Sequence, residues 1–234
     1  MKEDKSNKAS LESIVDHILK ESFKMTNVKS SEIPSIDLYM DQVTTFLDSH
    51  LAGAARDESD KFLTKTMINN YTKNNLIPPP DKKKYSKDHM MLLVFIYYLK
   101  NFMSMSDIGA ILGPMKDSFF SGEKELKIQQ IYDRIVKCQM SSVSELRDDI
   151  LDKAQKAGAV FEDAEIDEDR EYMELFTMVS MLGYDLYLKK FVIEKLIDAY
   201  RDKLVGSDDK KVDKSEKKVD KKTDKKADKK TDKK

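Results

Sequence analysis

The residues best suited to act on another molecule lie between Thr64 and Tyr85. In the stretch TKTMINNYTK, residues 64–73, a helical pitch turns Thr64, Lys65, Thr66, Asn69, Asn70 and Lys73 outward and leaves Met67, Ile68 and Tyr71 for the core. An asparagine amide donates and accepts at once, which matches N6 and N7 of adenine, and a threonine can touch a base edge or a thymine methyl. Asn69 and Asn70 are therefore candidate base readers. Lys65, Lys73 and the run Lys82, Lys83 and Lys84 are candidate phosphate contacts. A second reading of the asparagines, as a helix cap or a backbone hydrogen bond, stands beside the first. Tyr85 is expected to pack beneath the lysine run rather than to meet nucleic acid.

No other constellation in the chain signals chemistry. The three histidines, His17, His50 and His89, fall on separate segments, and the seven glycines are scattered, so neither a triad spacing nor a phosphate-cradling loop is present. The acidic run Glu162 to Glu171 lacks the glycine and loop spacing of a calcium site and reads as a solvated helix start. No enzyme, no catalytic residue, no cofactor and no metal are expected.

Charge supports a polyanion contact locally. Of the 234 residues, 42 are Lys or Arg and 43 Asp or Glu, for a net charge of −1. Residues 61–89 nevertheless hold seven lysines against Asp81 and Asp88, while residues 1–60 and 117–206 are both acidic. Attraction to a polyanion depends on nearby charge rather than the total. The bland alternative is an ordinary solvated lysine face. The single cysteine, Cys138, excludes an internal disulfide and points to a reducing, cytoplasmic setting. The first residues, MKEDKSNKAS, lead into no apolar signal core, and the longest apolar run, Met90 to Leu99, is half of the roughly 20 residues that span a bilayer.

Several helices must position these residues. Leu11, Ile14, Val15, Ile18 and Leu19 trace an amphipathic helix capped by Ser10. Leu38, Val43, Phe46, Leu47 and Leu51 trace a second, stopping near Gly53; Thr64 caps a third, which Pro78-Pro79-Pro80 ends. Ser86 starts a helix through Met90 to Leu99, apolar all round and therefore central. A shorter helix from Ser104 or Ser106 ends at Gly113-Pro114. Others cover about 123–139, 143–157 (Ser142 and Glu145 at capping-box spacing, Gly158 as the stop) and 167–204. The last repeats apolar residues at nearly 3.5 positions, as in a coiled coil, so one face can meet a second copy or simply serve a bundle core. No strand pattern is evident. Residues 207–234 repeat Lys-Lys-x-Asp units and are expected to be a disordered, solubilising or weakly anion-binding tail.

The order of Tyr71, Asn75-Leu76-Ile77-Pro78, Lys82 to Lys84, Tyr85-Ser86, Phe95-Ile96 and Ser104 with Ile108 resembles the MerR-type winged helix-turn-helix regulators over residues 64–112. The stretches IPSIDLYMDQV, LTKTMINNYTKN and KKKYSKDH are similar to the bacterial DUF1836 domains, over about residues 36–113. The resemblance implies a DNA-binding fold. It also sets differences: Thr66 and Asn69 stand where MerR-type helices usually carry phosphate-gripping arginines, the loop 52–63 is longer, and the lysine wing is short and lacks glycine.

The expected organisation is an all-α chain with an N-terminal tail and helix (1–35), a DUF1836/MerR-like helix-turn-helix domain (36–113), a helical C-terminal region (114–206) and a disordered tail (207–234). The expected function is a transcriptional regulator that reads double-stranded DNA with helix 64–75 and wing 82–85, with a possible homodimer through the C-terminal helices and no membrane partner. The alternative is a helical protein-interaction adaptor that has lost DNA binding.

Overall fold

Eight helices and one pair of two-residue strands make up the described part of the chain, which in this computed structural model is residues 10–25, 28–51, 63–120, 125–162 and 169–204. In chain order they are α1 (Leu11–Met25), β1 (Leu38–Tyr39), α2 (Met40–Leu51), α3 (Lys65–Lys73), β2 (Lys84–Tyr85), α4 (Lys87–Leu99), α5 (Met105–Phe119), α6 (Ile128–Ser141), α7 (Val143–Ala159) and α8 (Arg170–Leu204). The expected tails and the loop around Gly53 lie outside the described residues.

Helix α4 is the hub. Its residues His89 to Val94, with Ile96 and Tyr97, are all buried, so it has no solvent face for most of its length. A helix apolar all round must be surrounded. Val43, Leu47 and Leu51 of α2, Ile68 and Tyr71 of α3, Tyr85 of β2, Ile108 and Leu112 of α5, and Ile128 and Tyr132 of α6 pack with it in one cluster. The Tyr132 hydroxyl donates to the Val28 carbonyl at 2.5 Å, fastening the segment before β1 to α6. A smaller cluster joins Val15 and Leu19 of α1, Ala154 and Ala157 of α7 and Met178 of α8. Helix α8 touches both clusters, through Met178 and through Ile197.

The cap of α4 involves its own buried histidine. The Ser86 backbone N–H donates to His89 Nδ1 at 3.0 Å, so Nδ1 accepts and the ring proton belongs on Nε2, which is buried without a hydrogen-bond partner. The ring lies edge-on to Tyr85 and Phe120. Burial lowers the imidazole pKa, and the nearby carbonyls of Pro78 and Pro79 and the charge of Asp37 only partly oppose it.

Several boundaries differ from the sequence-based expectation, each for a local reason. Leu38, expected in the second helix, lies in β1, and the antiparallel pairs Leu38↔Tyr85 and Tyr39↔Lys84 form a sheet too short to leave an alternation pattern. Helix α3 ends at Lys73, before the prolines, in a Schellman turn: Asn75 adopts φ 58°, its N–H reaches Thr72 O at 3.1 Å, and Leu76 N–H reaches Tyr71 O at 2.8 Å. Met67, expected inward, is 38% exposed. Helix α5 runs through Pro114, because Met115 and Phe119 continue its packing against the main cluster. Helix α6 begins at Ile128, capped by Lys127 N–H donating to Gln130 Oε1. Helix α7 includes Gly158, and Ser142 makes no side-chain cap bond, because it leaves α6 in helical geometry.

Two outcomes test this packing. Leu92→Ala should lower unfolding free energy by about 2–5 kcal/mol in urea denaturation, the usual cost of a buried leucine cavity. His89, held neutral, contributes stability that is full above its unfolded pKa of about 6.5 and is lost as pH falls below that value toward the depressed folded one. The urea midpoint of the natural chain should therefore drop between pH 7 and 5.5. His89→Gln, which keeps an acceptor for Ser86, should show a much flatter profile in that interval; an unchanged profile contradicts the assignment.

Candidate nucleic-acid interface

Helix α3 is short, and its two faces are sharply divided. Ile68 and Tyr71 are buried, whereas Lys65, Thr66, Asn69, Asn70 and Lys73 are exposed. Lys65, Asn69 and Lys73 follow one another at four-residue intervals, with Thr66 and Asn70 in the next row, so the five lie on one continuous face. Both asparagine side chains are open to solvent, and neither is the capping group of α3. That role belongs to Thr64, whose hydroxyl accepts from the Met67 N–H at 3.2 Å and is thereby engaged within the chain.

The lysine run forms a tight reversal. Lys84 N–H donates to Asp81 O at 2.8 Å, and the two intervening residues, Lys82 and Lys83, both have positive φ, 47° and 65°. Positive φ at both central positions marks the hairpin turn that normally takes Asn-Gly. Lysine there carries a strain of about 1 kcal/mol or more per residue. Both side chains are exposed at the tip. Tyr85 is buried beneath, as its spacing suggested; burial raises its phenol pKa, and a hydrogen bond with Thr72 of α3 opposes the rise.

Contacts that the sequence reading did not anticipate join these two pieces into one rim. Lys65 forms an ion pair with Asp41 in the first turn of α2. Two residues earlier, Tyr39 pairs with Lys84 in the sheet, and the Lys84 ammonium lies 5.2 Å from the Tyr39 ring centroid. The start of α3, the start of α2 and the lysine turn thus meet at one edge. The far end of α3 is pinned from α5: Lys116, 8% exposed, donates from Nζ to Asn75 O at 3.0 Å and pairs with Asp117 at 3.2 Å. Asp41, Tyr39 and Lys116 gave little signal in the sequence, since one acid, one ring and one lysine on other elements have no spacing relation to the motif.

Among the described residues no group of three His, Cys, Asp or Glu side chains could hold a metal ion. No helix among them is long and apolar enough to cross a membrane. The shallow hollow beside the rim, lined by Pro34, Leu38, Asp41, Gln42, Thr45 and Phe46, is open to solvent and holds no buried polar cluster.

Comparison with known proteins adds one finding. Residues 28–135 match the family of domains described as Domain of unknown function (DUF1836), a little under half of the chain. The match runs past both ends of segment 36–113, and the added parts are those that the core requires: Val28 and Ile33 before β1, and Ile128 and Tyr132 of α6. No curated protein and no solved structure matches the chain.

The strained turn generates a test of its own. Lys82→Asn with Lys83→Gly should raise unfolding free energy by about 1–2 kcal/mol, since both replacements suit positive φ. An unchanged or lowered urea midpoint contradicts the turn geometry.

Proposed function

We propose that the rim formed by α3 and the turn 81–84 binds duplex DNA, with Thr66, Asn69 and Asn70 facing base edges and Lys65, Lys73, Lys82 and Lys83 facing phosphates, and that the chain is a non-enzymatic transcriptional regulator. The observation that carries this reading is the uninterrupted polar face of α3, five exposed side chains able to bond a base edge or a phosphate, set beside a turn whose tip is two exposed lysines. The order helix, lysine turn, helix, helix over α3, the turn 81–84, α4 and α5 is also the order of the motif that resembles the MerR-type winged helix-turn-helix. An α-helix with its side chains, about 10–12 Å across, suits a major groove about 12 Å wide.

The strain at Lys82 and Lys83 fits the same reading. A turn kept for stability alone would favour Asn-Gly; two lysines at the tip place charge where a neighbouring phosphate strand would run. The alternative, an adaptor that has lost DNA binding, draws on two internal engagements, Lys65 with Asp41 and Lys84 with Tyr39, which occupy two of the five cations.

Gel-shift titration of the full chain on random-sequence duplex at two salt concentrations decides between them. Binding should weaken as salt rises, with a slope of about 0.9 in log K per phosphate contacted. Changing Lys82, Lys83 and Lys84 together to Glu should reduce retention by about tenfold or more, while Asn69→Ala with Asn70→Ala should leave random-sequence binding within about twofold, because phosphates dominate nonspecific affinity. Absent or salt-insensitive retention would refute the DNA reading and leave the adaptor.

A further inference from the structure

Helix α8 has 35 residues, about 52 Å of helix. Its own chain covers only part of it. Met178 and Leu182 pack against α1 and α7, Ile193 and Ile197 against the main cluster, and two ion pairs tie it down, Lys153 with Asp185 at 3.0 Å and Arg201 with Asp107 at 2.9 Å. On another side Tyr172, Phe176, Val179, Gly183 and Tyr187 follow at intervals of four and three along one face, and their large side chains are 58–63% exposed.

The uncovered area is large. Aromatic side chains carry about 150–250 Å² each, so this row with its flanking Leu175, Tyr184 and Phe191, each about half to three-fifths exposed, leaves on the order of 600 Å² of apolar surface in water. That is at the upper end of an ordinary monomer patch and approaches the roughly 800 Å² per partner of a stable interface. Among the described residues no side chain of another element covers this row, whose large members are all more than half exposed.

Two features of the face specify what would cover it. The first is charge: leaving aside Asp185 and Arg201, which are paired within the chain, the half of α8 before Leu186 carries Arg170 against Glu171 and Glu174, whereas the half after it carries Lys189, Lys190 and Lys195 against Glu194 and Asp198. The halves are opposite in sign, so a second α8 running antiparallel sets acidic against basic, while a parallel one sets like against like. The second is Gly183, at the middle of the row. A glycine inside a helix costs about 1 kcal/mol relative to alanine, and a Cβ added here meets nothing within 4 Å among the described residues, so the packing they make gives no reason for it. A helix crossing at that point does, because a missing side chain lets two axes approach closely.

We propose that this face of α8 pairs with α8 of a second copy of the chain, antiparallel and crossing at Gly183. In that arrangement Phe176 meets Lys190 of the other copy, a cation over a ring, and Val179 meets Tyr187. The pairing does not depend on the nucleic-acid reading and is testable without DNA.

Sedimentation equilibrium of the full chain at tens of micromolar should give twice the 27.0 kDa monomer mass. Gly183→Lys has open space and better helix propensity in the monomer, so circular dichroism should be unchanged while the mass falls to that of a monomer; Tyr187→Glu should do the same. A monomeric natural chain, or dimers that persist in both variants, would overturn the proposal. In a Cys138→Ser background, Phe176→Cys and Lys190→Cys chains should form a disulfide with each other when coexpressed and little with themselves. Self-linking of each alone would overturn the antiparallel orientation.

Discussion

The complete burial of α4 is the constraint on which the rest of the structure depends. Each side chain from His89 to Val94 needs a neighbour, and no single helix can cover all sides of another. The demand recruits α2, α3, α5 and α6 around it and draws β2, which leads directly into α4, under the same cover through Tyr85. Burial of an average apolar side chain contributes about 1.5–3 kcal/mol, so this one helix sets the position of its neighbours more strongly than any surface ion pair, which contributes about 1 kcal/mol or less.

The rim follows from that arrangement. Helix α3 has only nine residues and buries Ile68 and Tyr71, which leaves its polar rows nowhere to go but outward. Its start is tied to α2 through Lys65 and Asp41, and its end to α5 through Asn75 and Lys116. The lysine turn is held by its own backbone bond and by β1, and carries conformational strain that the packing beneath must offset. Rigid support below and charge above are what a groove-binding surface requires, since loosely held cations lose in ordering entropy what they gain in attraction.

Much of this was legible in the sequence where one residue type has one physical consequence. Thr64 before a polar-apolar alternation signalled the start of α3, the ten apolar residues from Met90 announced a central helix, and Ser10 marked the start of α1. The sequence misled where tertiary packing competes with a local rule. Pro114 and Gly158 read as stops, yet both lie inside helices whose apolar faces continue past them. Pro78 read as the end of α3, but Asn75 in the left-handed region ended it first. The candidate site was legible on α3, where period and polarity coincide; the partners that join it to the turn come from α2, β1 and α5 and share no spacing with it. Two-residue strands leave no alternation, so β1 and β2 could be found only from their pairing.

The central claim is that α3 and the lysine turn act as one surface toward duplex DNA. Amide chemical-shift perturbation on titration with a short duplex tests it most directly, because it reports position rather than affinity. The account predicts shifts confined to residues 64–73 and 81–85, with Asn69, Asn70, Lys82 and Lys83 moving together at one concentration of duplex. Shifts that fall on α8 or α7, or that separate the turn from α3, would contradict it.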